Sequence, residues 1–369
     1  MPSQAVLRQF DPSLLVREPV RAKSTYVPSP RDESRHGSVI RLDMNESPYG
    51  PSPKAKAAIA EFAETHRYPD FDQWGLRDAI AAYVGTTAEQ VFCGAGCDDV
   101  LNLVAQAVLD PGDEIIISEP TFGVYRMQAN LRGARTIDVP LTEGFRLDVD
   151  GILAAVTAKT KYIVVCTPNN PTGNEFDRAD VQRVVQEAPC LVLIDEAYAE
   201  FAGTSYVDWV NRNPNVLVFR TMSKFAGLAG MRVGYGIVPK SMAPHLENIV
   251  QPCHNVSFVS SEAAIASLND LDYLNGVVAQ IVASRDELAA NLREIPGVEP
   301  YPSSTNFLLV KLPVDDAGPI VTELANRGIL VRHFANPSLG IGNCLRVTIG
   351  LPEENDRFLK ELADILGEK

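Results

Sequence analysis

At 369 residues the chain is long enough for a large core and roughly two domains, taking ~150 residues for each. Its 46% hydrophobic and 22% charged content is ordinary for a soluble globular protein. The balance of 33 basic against 47 acidic residues, a net charge of −14, argues against nucleic acid or an anionic membrane as partner. Any anionic ligand must therefore find its positive charge in a few locally placed arginines.

No apolar run approaches the ~20 residues of a membrane span, and the first thirty residues lack a signal-peptide core. Six scattered cysteines (Cys93, Cys97, Cys166, Cys190, Cys253, Cys344) show neither zinc spacing nor a disulfide framework, and read as buried free thiols of a cytoplasmic protein. The five histidines are equally dispersed, with no HExxH pair, so no metal site is expected.

In chain order, residues 1–40 are rich in Arg, Ser and Pro and form an arm, with Tyr26 in a proline-restricted extended segment. A turn-rich loop over residues 42–51 leads into a helix near 54–65, then Arg67-Tyr68-Pro69-Asp70 and a helix near 75–84. From there strand and helix alternate, which predicts a parallel sheet covered on both faces. Strands are expected at 91–93, 114–118, 162–166, 191–194, 216–219 and 233–238, with helices near 100–109, 123–132 and 177–187. A long helical pattern at 259–294 joins this large unit, 41–255, to a smaller one, 256–369. The smaller unit holds strands at 307–311, 329–332 and 345–349, a helix at 317–327 and a terminal helix from 353; part of the N-terminal segment completes it. The fold class is therefore α/β, a mostly parallel large sheet with a smaller α/β domain.

In open parallel sheets, ligands bind beyond the carboxyl ends of the strands. Four predicted strands end there in polar or flexible residues. Gly94-Ala-Gly-Cys-Asp opens a helix and is either an ordinary turn or a phosphate cradle built on free N–H groups. Asn170 lies between two prolines, in a tight turn or in a loop stiff enough to aim its amide. Asp195 closes Leu-Val-Leu-Ile, where a carboxylate is costly unless it caps a helix or meets a cation. Tyr198 follows one turn later and can face the same cavity. Lys224 sits between a hydroxyl and a run of Phe, Ala, Gly and Leu, and desolvation of that kind lowers an amine's pKa and makes it nucleophilic. Arg232, eight residues on, is a possible phosphate clamp. A phosphate cradle, an isolated carboxylate, a phenol, an amide and a desolvated lysine together suit pyridoxal phosphate.

Seven stretches, in order from residue 42 to 350 and preceded by the Tyr-Val-Pro arm within residues 24–30, carry a resemblance. They include Leu-Asp-Met-Asn-Glu-Ser-Pro-Tyr-Gly-Pro, Arg-Tyr-Pro-Asp, Gly-Cys-Asp-Asp, Pro-Asn-Asn-Pro-Thr-Gly, Asp-Glu-Ala-Tyr, Thr-Met-Ser-Lys…Gly-Met-Arg-Val-Gly and Leu-Arg-Val-Thr-Ile-Gly. By these the chain resembles the fold-type I aminotransferases, most closely their histidinol-phosphate branch. The resemblance implies an aspartate-aminotransferase-like large domain with a seven-stranded sheet. It also implies that Lys224 bonds to the cofactor and shuttles the substrate proton, that Asp195 holds the pyridine nitrogen protonated, and that Asn170 and Tyr198 bond the ring oxygen. Tyr125 is implied to stack on the ring. The N–H groups of Cys97 and Asp98, with Thr221, Ser223 and Arg232, would hold the phosphate, and Tyr68 would reach the neighbouring site of a homodimer. Arg346 and Arg332 would bind the substrate's phosphate or carboxylate, with Tyr26 and Asn45 closing over it. The implied substrates are histidinol phosphate and 2-oxoglutarate, which becomes glutamate. Aromatic or other aminotransferases and threonine-phosphate decarboxylase are rivals on the same fold, and a non-catalytic regulator is a remote one. Cys97 and Asp99 depart from the family's usual serine or alanine and glutamate, which leaves their side-chain roles open.

Overall fold

The computed structural model describes residues 11–21 and 39–367. Its largest element is a seven-stranded sheet of β2 (Val91–Gly94), β3 (Glu114–Ile117), β4 (Arg135–Asp138), β5 (Thr160–Cys166), β6 (Leu191–Asp195), β7 (Val216–Thr221) and β8 (Gly234–Ile237). The order is β2-β8-β7-β6-β5-β3-β4, and only β8 runs antiparallel to its neighbours.

The central strands are apolar on both faces because helices cover both. Ile163, Val165, Val192, Ile194, Val216 and Val218 enter one buried cluster, while Val164, Leu193, Leu217 and Phe219 enter the other. The period-2 alternation of a strand thus divides each continuous apolar run between two cores. The helix Cys97–Val108 covers the second face with Val100, Leu101, Leu103, Val104 and Ala105 buried.

A four-stranded antiparallel sheet follows, ordered β12-β13-β10-β9, from β9 (Glu299–Pro300), β10 (Phe307–Lys311), β12 (Arg332–His333) and β13 (Cys344–Thr348). Near the start of the described core, β1 (Ile40–Arg41) pairs in parallel with β11 (Ile329–Leu330). The segment just before the large sheet is thereby tied to the C-terminal elements.

Three expectations need correction. The pattern over 259–294 is two helices, Phe258–Leu268 and Leu271–Arg293, because Asn269 caps the first and Asp270 starts the second. The strand expected at 329–332 is two short ones that pair in different sheets. The cysteines are all free, but Cys253 is exposed and Cys97 and Cys190 are half-buried. Within the expected arm, residues 12–15 and 18–21 are helical turns. Among the described residues no helix is long and apolar enough to cross a membrane, and no group of His, Cys, Asp and Glu could hold a metal ion.

Candidate active site

Since β8 alone is reversed, β2, β5, β6 and β7 all point their carboxyl ends to one edge, where Gly96 to Asp98, Asn170, Asp195 and Lys224 follow or close them. After β2, Gly96 adopts φ +90°, and a Cβ there would lie 2.1 Å from an Arg232 guanidinium nitrogen. The positive φ calls for glycine, and a Cβ would in addition push the guanidinium aside. Gly234 is equally constrained, since a Cβ would stand 2.2 Å from the Cys97 nitrogen. These glycines let Arg232 and β8 close onto the first turn of the helix Cys97–Val108. The leading N–H groups of a helix have no intrahelical acceptor and carry the positive end of its dipole. Arg232 donates to the Ala229 carbonyl at 3.0 Å and stands 3.8 Å from the Asp98 carboxylate. Beside them, the Thr221 hydroxyl donates to Ser223 Oγ at 2.9 Å.

Asp195 ends β6 almost fully buried, opposite Cys166 of β5 and Phe219 of β7. One oxygen accepts the Tyr125 hydroxyl at 2.6 Å and the other the Ala197 N–H at 3.0 Å. Burial raises its pKa to about 6 despite these two donors. No cation among the described residues forms an ion pair with it, whereas a buried carboxylate ordinarily needs one. The Ala197 N–H lies before the short helix Ala199–Ala202, whose N-cap is Tyr198, so Asp195 caps no helix, and no described residue pairs with it as a cation.

Lys224 is half-buried and donates to the Met44 carbonyl at 3.0 Å. Desolvation, helped by the charge of Arg346, brings its ammonium down to about 8. Asn45, held at φ +53°, donates its amide to the Tyr198 hydroxyl at 2.9 Å. The Thr348 hydroxyl accepts the Asn45 N–H at 2.9 Å, and Asn306 donates to the Asn45 carbonyl at 3.0 Å. The left-handed backbone at Asn45 is thus over-determined from the small sheet.

Arg346 crosses from that sheet into the same cleft. It donates to Asn170 Oδ1 and to the Asp43 carbonyl, each at 2.6 Å, and its guanidinium lies 5.3 Å from the Phe307 ring. In the β12–β13 register Arg332 is directly opposite Arg346, so both side chains leave the same face. Two like charges so placed favour an anion between or beside them.

The structure therefore brings together Lys224, Asp195, Asn170, Tyr198, Tyr125, Cys97, Asp98, Thr221, Ser223, Arg232, Asn45 and Arg346, with Arg332 on the neighbouring strand. Tyr68 lies apart, 83% exposed and stacked on His254 at 4.9 Å. Tyr26 falls outside the described residues. Sequence reasoning missed Asn169, whose buried amide donates to the Pro120 carbonyl and Thr172, and whose oxygen accepts the Thr121 hydroxyl. Its place in Pro-Asn-Asn-Pro was the available signal. It also missed the aromatic seat of Arg346, which no local pattern announces.

The model of the family "Aminotransferase class I and II" matches residues 37–362. A histidinol-phosphate aminotransferase of Roseiflexus castenholzii is 46% identical over 336 residues, 89% of this chain and 90% of the relative. The chloroplastic enzyme of that name from Nicotiana tabacum is 39% identical over 87% of this chain and 78% of its own length. Among solved structures, histidinol-phosphate aminotransferase from Sinorhizobium meliloti in complex with pyridoxal 5′-phosphate superposes with a TM-score of 0.86. It is 29% identical and covers 95% of this chain and 99% of its own. The chain belongs to the class I and II aminotransferases, with the fold-type I architecture.

Proposed function

We propose that the protein transfers the amino group of L-histidinol phosphate to 2-oxoglutarate, giving imidazole-acetol phosphate and glutamate in histidine biosynthesis, with pyridoxal phosphate as cofactor. The residues present fit that cofactor. Gly96 leaves no Cβ between Arg232 and a helix N-terminus, which suits a phosphate. Asp195 is buried and without a cation among the described residues, which suits a protonated ring nitrogen. Lys224, brought down to about 8, keeps a usable neutral fraction near physiological pH. When bound, pyridoxal phosphate supplies an aldehyde that takes up the amino group and a ring that accepts the electrons released at Cα.

Around it, Lys224 accepts and returns the Cα proton, and Asp195 keeps the ring nitrogen charged. Asn170 and Tyr198 donate toward the ring oxygen. Tyr125, implied by the resemblance to stack on the ring, is instead buried with its hydroxyl on Asp195, and would orient that carboxylate. The Cys97 and Asp98 N–H groups, Thr221, Ser223 and Arg232 hold the phosphate. Tyr68, exposed on an aromatic surface with Phe71 and Trp74, reaches the second site of a homodimer. We divide the chain into an arm to residue 40, a cofactor-binding unit of residues 41–255 and a smaller unit of 256–369, and place the enzyme in the cytoplasm.

The observation that carries the substrate assignment is Arg332 facing the same side as Arg346, with Arg346 fastened to Asn170. Each half-reaction presents an anion, a phosphate in one and a carboxylate in the other, so one arginine site must serve both. Charge-assisted hydrogen bonds of this kind contribute roughly 1.5–3 kcal/mol each. With 2-oxoglutarate as acceptor, glutamate should form readily from L-histidinol phosphate and far more slowly from L-histidinol or L-phenylalanine. Equal rates with histidinol and its phosphate would overturn the assignment, as would release of carbon dioxide in place of glutamate.

A further inference from the structure

We propose that Asn255 is a positioning residue that sets the phosphate-holding loop by fixing the Asp99 carboxylate; the inference rests on the cofactor reading above. Asn255 precedes the helix Phe258–Leu268, and its three side-chain hydrogen bonds go to Gln73, Cys93 and Asp99, none of them assigned to the cofactor. Its amide nitrogen donates to the Cys93 carbonyl at 3.2 Å and to Asp99 Oδ2 at 3.1 Å, while its oxygen accepts the Gln73 amide at 2.6 Å. A carbonyl and a carboxylate only accept, so the amide has one possible orientation and every polar group of it is used.

Asp99 Oδ2 in turn accepts the Ala95 N–H at 2.9 Å. That bond pins Ala95, and the Gly96 N–H closes onto the Gly94 carbonyl at 2.7 Å, which fixes the turn into the helix. Asn255 thus holds from behind the carboxylate that holds the loop. Without it, Asp99 is free to rotate toward the leading N–H groups of its own helix, where an anion is favoured. A carboxylate there competes with the phosphate for the same donors. The strut also continues outward, since Gln73 precedes the helix Trp74–Val84 and His254, next in chain to Asn255, carries Tyr68 on its ring.

The test uses cofactor-free full-length protein and two probes, pyridoxal 5′-phosphate and pyridoxal. Asn255→Ala and the isosteric Asn255→Asp, which turns the donor into a third acceptor, should each weaken pyridoxal phosphate binding about tenfold or more and leave pyridoxal binding unchanged. In an Asp99→Ala background, Asn255→Ala should have little further effect. An equal loss for both probes marks a general structural role and overturns the proposal, as does undiminished discrimination or a full additive loss in the Asp99→Ala background. Wild-type protein that binds both probes equally overturns the cofactor reading and this proposal together. Wild-type discrimination retained in the variants overturns the proposal alone.

Discussion

Asp195 and Glu196 are consecutive, equally buried and carried by the same strand end, yet their surroundings are opposite. Strand alternation sends Glu196 to the face where Arg220 emerges from β7, and Asp195 to the face of Tyr125 and Thr221. Glu196 bonds Arg220 at 2.7 and 2.8 Å, accepts the Ser205 hydroxyl at 3.3 Å and takes the Tyr206 N–H as well. Glu200 adds a second carboxylate 3.5 Å from Arg220 and accepts the Tyr83 hydroxyl at 3.3 Å. Burial holds both glutamates above the usual carboxylate range, and their charges push Arg220 well upward. That cluster is complete as it stands. Asp195 has a phenol and one amide and no ion pair among the described residues, so its charge is matched only when a ligand brings a cationic N–H. A buried acid with its counter-ion built in is structural; one without suits the role proposed for Asp195, a seat for a cationic ligand.

The distinction has measurable consequences, and the largest is in turnover. Asp195→Asn should lower kcat on the order of 10³-fold, the scale of losing a preorganised electrostatic partner. The cofactor-free variant should melt no lower than the parent, because an unpaired buried charge has been removed. Retained turnover would break the comparison. Arg220→Met should show the reverse pattern, with a stability loss of about 3–5 kcal/mol in urea denaturation, because two buried carboxylates lose their cation. A loss near zero would show that Glu196 and Glu200 are satisfied without it.

A third prediction concerns pH. The Asp195 carboxyl has a folded pKa of about 6 against an ordinary 3.8. A carboxyl raised on folding contributes stability that is complete below the ordinary pKa and is lost as pH rises through the folded one. Cofactor-free protein should therefore lose ~3 kcal/mol between about pH 4 and 6 from this group alone. Taking the difference between parent and Asp195→Asn melts cancels Glu196 and Glu200, which shift in the same direction. A flat difference would show Asp195 already paired.

How much of this was legible in the chain follows from range. The alternation that splits Leu191–Asp195 between two cores is local, and so is the glycine turn before Cys97; both are visible in sequence. β4, Arg-Thr-Ile-Asp, is not, since an edge strand with one apolar residue carries too little pattern to separate it from a loop. The break at Asn269–Asp270 hides in a helical period that resumes on the far side. Partners distant in sequence are hidden altogether. Arg346 meets Asn170 across 176 positions and Asn255 meets Asp99 across 156, and only the packed sheet brings either pair together. Lys224 and Asp195 could be named from their apolar company, but that Asp195 lacks a cation while Glu196 has one depends on which face each side chain takes.

The smallest effect sharpens the same point at the lysine. Lys224 is lowered to about 8 chiefly by desolvation and secondarily by the positive charge of Arg346. Labelling of cofactor-free protein with an amine reagent should therefore show one early-reacting lysine with a midpoint near pH 8, well below the range of surface lysines. Arg346→Met removes the repulsion without admitting water, so the midpoint should move upward while the ordinary lysines keep theirs. Because desolvation is the larger cause, the shift must stop short of the ordinary lysine value. A full return would mean that charge, not burial, prepares Lys224. No shift would mean that Asn170 and the Asp43 carbonyl screen Arg346 from the lysine, and the cleft would then hold two independent charged sites.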